Sequence, residues 1–256
     1  VTALPLDEAG VSVEALRRSG ADVVHISPSH HYPTGLVMPI ARRQELLRWA
    51  QEVPARVILE DDYDSEFRFV GRPIPTLFSI DGGEQVVYLN TFSKTIAPSI
   101  RISFMVLPRR LLADFRQKLG FYACTVSAFE QYTLAQFLAG GWYEKHLSRM
   151  RKHYRQKRDT VIAAVHQSPL APYAAITEED AGLHFLLRLD GAPPDEMLRR
   201  EAEQRGIRLA MLSDYYQCPQ DAPQHVLVVN YTGIDLDRLP AALERLAALW
   251  KENDHV

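Results

Sequence analysis

RVILEDDYDSEF (residues 56–67) and VVYLNTFSKTIAPSIR (residues 86–101) decide the fold. In each, a short apolar run stops abruptly at polar residues. Val57, Ile58 and Leu59 give way to Glu60, Asp61, Asp62 and Tyr63, and residues 86–89 give way to Asn90, Thr91, Ser93 and Lys94. β-Branched runs of this length without alternation read as strands buried on both faces, the pattern of a parallel sheet. Each strand then delivers polar side chains at its carboxyl end, the edge at which open α/β sheets place their ligands.

The residue types at that edge suit a phosphorylated, basic heteroaromatic aldehyde. A carboxylate such as Asp61 keeps a pyridine nitrogen protonated, and the Tyr63 phenol hydrogen-bonds a ring hydroxyl. The Lys94 amine forms an imine with an aldehyde carbon, while Thr91 and Arg101 bind a phosphate. Pyridoxal phosphate carries all of these groups. An isolated DDYD after a strand reads as a solvated loop; the lysine 33 positions after Asp61 argues against that here. Beside a cationic ring and Arg101, a buried Lys94 amine is pushed towards its neutral, nucleophilic form.

Asp-x-Tyr, then about thirty residues to Thr-Phe-Ser-Lys, then an arginine seven residues after the lysine, resembles the cofactor constellation of fold-type I aminotransferases. Within that superfamily SPSHHYPTG (27–35), EDDYDSEFRF (60–69) and TFSKTIAPSIRISFMVLP (91–108) look like the MocR-type regulators of the GntR superfamily. The likeness continues through WYEKHLSRMRKHYRQKRD (142–159) and LSDYY (212–216).

The resemblance implies an α/β fold of the fold-type I aminotransferase-like kind. A mostly parallel-sheet large domain, lacking its N-terminal part, occupies residues 1–140, and a connecting helix with a small α+β domain occupies 141–256. It also implies a homodimer and an effector-sensing role. Lys94 is the Schiff-base lysine, and Asp61, Tyr63, Thr91 and Arg101 are the remaining cofactor contacts. Asp61, rather than Asp62 or Asp64, keeps the Asp-x-Tyr phase, which leaves Asp64 and Glu66 as loop or interface charges. The effector is a small amine or amino acid. DNA is reached only through a winged-helix domain absent from this chain.

Composition sets the outer bounds. With 256 residues, 46% of them hydrophobic and 24% charged, the chain is an ordinary globular protein of one large domain or two. A net charge of −3 and a pI near 6.3 leave no electrostatic footprint for nucleic acid over the chain as a whole. Cys124 and Cys218 have neither CxxC nor His spacing, which argues against a disulfide framework and a structural zinc. They fit a reducing cytoplasm. No signal peptide is recognised and no apolar run approaches the ~18 residues needed to span a bilayer. A soluble, cytoplasmic protein is expected.

Taken in order, residues 11–18 read as a short helix and 21–26 as a strand entering a Ser-Pro turn; nothing in the opening residues signals a hairpin. Residues 39–52 read as a surface helix. Arg101 precedes a strand over 102–107, and its plain alternative is a surface ion pair. Helices follow over 128–138 and from 142 to about 166. The second is strongly basic, but its apolar stripe of Leu147, Met150, Tyr154, Val161 and Val165 favours a solvated face over a nucleic-acid contact. Beyond it come strands at 183–189, 207–209 and 226–231, and helices at 194–205 and 236–251.

Several positions depart from the enzymes. Tyr32 precedes Pro-Thr-Gly where aminotransferases usually carry asparagine, and His30 and His31 are either exposed turn residues or ligand contacts. No third residue has convincing metal-ligand spacing. The strand HVLVVNYT (225–232) holds no arginine for a substrate carboxylate. Asp214 stands in LSDYY where amino-acid sensors often have arginine; it either repels a carboxylate and favours an ammonium, or is simply a turn or cap acid. Asp214, Tyr32 and His31 are therefore the candidate effector contacts. The expected function is a cofactor-loaded sensor with weak or absent turnover; the alternatives are a true pyridoxal-phosphate enzyme and a cofactor-free scaffold.

Overall fold

A computed structural model describes residues 1–71 and 74–253 and divides them into two compact units. The first comprises the described residues of 1–31 and 36–151, and the second those of 32–35 and 152–253.

The first unit opens with a hairpin of β1 (Leu6–Asp7) and β2 (Gly10–Val11), contrary to expectation. With two residues per strand there is no alternation to read; the turn is made by the Asp7 carboxylate, which accepts the Ala9 N–H at 2.8 Å, and by Gly10 at φ 109°. Helix α1 (Val13–Ser19) starts where the Ser12 hydroxyl accepts the Ala15 N–H and ends at a left-handed Gly20. Then follow β3 (Val23–Ile26), α2 (Ile40–Gln51), β4 (Val57–Asp61), α3 (Leu77–Asp81), β5 (Val86–Thr91), α4 (Phe92–Thr95) and β6 (Ser103–Val106).

The four strands β3 to β6 form one sheet in sequence order. β3, β4 and β5 are parallel and β6 is antiparallel to β5. One sheet face carries Val24, Ile26, Ile58 and Val86, which join Leu16, Leu46, Leu47, Trp49 and Leu77 in a single core. Within this apolar layer lies the Arg43–Glu60 pair, both side chains fully buried. α5 (Leu112–Leu119) and α6 (Ala128–Ala139) follow; Ser127 and Glu130 close a reciprocal capping box at the start of α6. Helix α7 (Trp142–Gln167) then runs unbroken across the division between the units.

The second unit carries β7 (Ala174–Thr177), β8 (His184–Leu189) and β9 (Val226–Asn230) as an antiparallel sheet, with α8 (Asp195–Gln204) and α9 (Leu239–Asn253). The strand expected at 207–209 does not form. Contact with β9 comes just beyond it, where the Val228 N–H donates to the Ala210 carbonyl at 2.8 Å and Met211 makes an isolated bridge with Leu227. The core here includes Phe185, Leu189, Leu198 and Ala202. Phe185 stacks on Tyr231, and the buried Tyr231 hydroxyl donates to the Gly182 carbonyl. Tyr231→Phe keeps the ring but strands that carbonyl, and should cost about 1–3 kcal/mol in urea unfolding. No helix among the described residues is long and apolar enough to cross a membrane.

Candidate functional site

The strand register assembles one edge. Because β3, β4 and β5 run parallel, their carboxyl ends meet, with Ile26 paired to Glu60 and Asp61 paired to Leu89. Antiparallel β6 brings its amino end to the same edge through the Thr91–Ser103 pair. Asp61 closes β4, Thr91 closes β5, Lys94 lies in α4 immediately beyond, and Arg101 lies two residues before Ser103. Four of the five expected cofactor residues thus occupy one sheet edge, with Tyr63 two residues past Asp61.

Lys94 is exposed rather than buried, on a single helical turn secured from both sides. Thr91 caps the turn: its hydroxyl accepts the Ser93 N–H at 3.2 Å and donates to the Ile102 carbonyl at 3.2 Å. From α7, Tyr143 packs edge-on against Phe92, and His146 Nε2 donates to the Thr95 carbonyl at 3.0 Å. Arg101 takes a left-handed backbone (φ 50°) and is exposed. A non-glycine residue in that region costs on the order of 1 kcal/mol, a strain of the sort that collects at functional sites. The ion pair that was its plain alternative is absent: among the described residues neither the Lys94 nor the Arg101 side chain has a hydrogen bond or ion pair.

Asp61 is half-exposed, and its Oδ2 lies 3.4 Å from His25 Nε2 on β3. That hydrogen bond and the carboxylate charge raise the His25 pKa above its usual value, against an opposing effect of desolvation. The Tyr63 hydroxyl lies 3.3 Å from His30 Nδ1, which is also 2.9 Å from Asp64 Oδ2.

His30 and Asp64 are therefore not the exposed turn histidine and loop charge of the sequence reading. Each side chain is buried, about 1–2% accessible, and they hold one another. Glu66 is corrected likewise: its carboxyl is mostly enclosed, accepts the Asn90 amide at 3.2 Å, and is pushed up in pKa by burial. Asp62 is buried too, accepting from Ser65 and from the Tyr88 hydroxyl at 2.8 Å each. The DDYD segment is thus sorted by environment, with Asp61 at the open edge and Asp62 and Asp64 bound inward.

Of the expected effector contacts, His31 belongs to the first unit and is half-buried; desolvation lowers its pKa, aided by neighbouring His30. In the second unit, the Tyr32 and Tyr215 hydroxyls are 2.8 Å apart, with their rings perpendicular. Desolvation, followed by the Tyr215 hydrogen bond, pushes the Tyr32 phenol up to about 12. Asp214 acts as the cap acid. It accepts the Met211 N–H at 3.0 Å at the start of the 3-10 turn Leu212–Tyr215 and ion-pairs with Arg199 of α8. Its charge is compensated locally, so it does not present the bare anion from which carboxylate repulsion was expected.

The donor set at the first unit's edge fits pyridoxal phosphate. It offers a carboxylate for the ring nitrogen, a phenol, a hydroxyl and two unengaged cations, one an amine and one a guanidinium. His25 was missed in the sequence, where it is one histidine in an apolar run.

Comparison with known proteins bears on this assignment. The family described as aminotransferase class I and II matches residues 11–249. The uncharacterized HTH-type transcriptional regulator YdeL of Bacillus subtilis (strain 168) is 36% identical over 251 residues, covering 98% of this chain and 53% of that protein. The probable rhizopine catabolism regulatory protein MocR of Rhizobium meliloti is 36% identical over 233 residues, covering 91% of this chain and 46% of that protein. The chain thus spans about half the length of the curated relatives it matches. Among solved structures, kynurenine aminotransferase of Pyrococcus horikoshii, a complex with PMP, superposes with a TM-score of 0.81 at 27% identity, covering 99% of this chain and 64% of that one.

Proposed function

This chain belongs to the class I and II aminotransferase family and is similar over nearly its whole length to MocR-type transcription regulators, and on that premise we propose that it is their cofactor-loaded effector sensor. The observation that carries the proposal is the convergence of Asp61, Thr91, Lys94 and Arg101 on one sheet edge, with Lys94 and Arg101 unengaged. When bound, pyridoxal phosphate supplies an aldehyde carbon on an electron-withdrawing ring, at which a primary amine is captured reversibly.

The chain's own residues do the rest. Asp61 presents a carboxylate to the ring nitrogen, and Tyr63 a hydroxyl to the ring oxygen. Arg101 and Thr91 hold the phosphate, a fork-shaped cation and a hydroxyl being matched to its oxygens. Lys94 would hold the aldehyde carbon through its amine, leaving that carbon open to exchange with an effector amine. Within this unit His31 is a polar group offered to that effector. We propose further that the response is relayed to a DNA-binding domain and that the sensor acts as a homodimer. Relatives that are aminotransferases by name keep open the alternative of turnover, but the 36% identical relatives are regulators.

A titration of the cofactor-loaded protein with a panel of amino acids and amines tests this. The expected outcome is a shift of the visible absorbance band with one class of amine and no keto acid released. Steady keto-acid formation would make the protein an enzyme, and a protein that gives no band with pyridoxal phosphate would remove the cofactor assignment altogether.

A further inference from the structure

We propose, on the footing that pyridoxal phosphate is bound at Asp61 as above, that His25 is the positioning residue for Asp61: it fixes the orientation of the carboxylate and sets how much negative charge reaches the ring nitrogen. The geometry follows from the sheet. His25 of β3 pairs with Leu59 of β4, so Asp61 lies two residues further along β4 on the same face. Diagonal neighbours of this kind are within reach of long side chains, and here the reach closes to 3.4 Å between Nε2 and Oδ2. One carboxylate oxygen is thereby engaged and the other is left for a ligand.

Among the described strand residues, no other charged group on this face competes for His25. The strand side chains that share it with His25 and Asp61, from Val23 and Val57 through Leu59, Val87 and Leu89 to Thr91, Ser103 and Met105, carry no charge. The Asp61 carboxylate, as hydrogen-bond partner and as charge, is what raises the His25 pKa, against desolvation. The buried carboxylates of Glu60, Asp62 and Asp64 are turned to other partners.

Two effects of opposite sign follow. An Nε2–H donates to Asp61 whether the ring is neutral or protonated, so His25 orients the carboxylate at any pH. Protonated His25 also places a positive charge on the anion that a pyridinium requires. Cofactor should therefore bind more weakly as the pH falls through the raised pKa of His25.

The first experiment follows the His25 ring by NMR in the cofactor-free chain. Its pKa should lie above the usual histidine value and return to it in Asp61→Asn; an unchanged titration in that variant would overturn the proposal. The second measures the pyridoxal phosphate dissociation constant of wild type, His25→Ala and His25→Gln across pH. Above the His25 pKa, His25→Ala should bind about tenfold more weakly, as expected for a lost hydrogen bond to a charged group. His25→Gln, which keeps a donor, should recover most of the affinity, and both variants should lose the wild-type weakening at low pH. Equal affinities and an unchanged pH profile in His25→Ala would refute the positioning role while leaving the cofactor assignment standing. A wild type without a Lys94-dependent band would fail the assignment itself.

Discussion

Lys94→Ala is expected to abolish the visible absorbance band of the protein with pyridoxal phosphate and, after borohydride reduction, to leave no cofactor mass on the chain. Lys94 is the only lysine in either of the two stretches that form the edge, and it sits unengaged on a capped turn. Its removal disturbs no packing, so the variant should unfold at the same urea concentration as wild type when cofactor is absent. The difference appears on adding cofactor. A ligand at about 100 times its dissociation constant stabilises the protein that binds it by about 2.7 kcal/mol, and the variant should forfeit most of that gain. A residual gain from Asp61, Thr91 and Arg101 acting without the covalent bond is consistent with the assignment. A visible band and a full gain in the variant would overturn it.

The largest loss of stability is expected from Arg43→Met. The Arg43 guanidinium is fully buried and donates to the carbonyls of Met38 at 3.0 Å, Pro75 at 3.1 Å and Pro28 at 2.8 Å, with Glu60 at 3.6 Å. Glu60 in turn accepts the N–H groups of Leu77 and Phe78 at 2.8 Å each. Burial lowers the pKa of Arg43 and raises that of Glu60, each more than their mutual attraction offsets. The pair is thus costly in itself, and its stabilising effect lies in the three carbonyls and two N–H groups it satisfies. Methionine fills the volume of the stem but leaves those carbonyls without a donor and Glu60 without a counter-charge, a loss of about 3–5 kcal/mol. Equilibrium urea unfolding measures it directly; a loss under about 1 kcal/mol would show that water or relaxation replaces the guanidinium. Glu60 is the residue before Asp61, so the variant should also bind pyridoxal phosphate more weakly.

The edge was legible in the sequence because its parts are local. Asp61 ends one apolar run and Thr91 another, and Lys94 and Arg101 follow within ten residues, so strand polarity alone brings them together. The helices α2, α6 and α7 were legible as well, α6 from its apolar run and α7 from its apolar stripe at helical spacing. What escaped depends on pairings the sequence does not display. His25 meets Asp61 only through the β3–β4 register, and His30 meets Asp64 across 34 positions. Arg199 reaches Asp214 only once α8 has packed beside its turn. Asp64 and Glu66 look like solvent charges in a run of acids, and only the fold reveals that their partners enclose them. At the start of the chain, two-residue strands are too short to carry any periodic signal.

The parallel arrangement of β3, β4 and β5 also bears on how the protein comes into being. Val23 pairs with Val57 and Ile58 with Val86, partners separated by 34 and 28 positions. Contacts that close such long loops give up chain entropy before they yield any stabilisation, and parallel pairings are accordingly among the slow events of folding. Asp61 and Lys94 are far apart in the chain until those pairings are made. Capacity to hold cofactor should thus be acquired late in refolding, after the local helices have formed, so that recognition of pyridoxal phosphate marks a finished sheet.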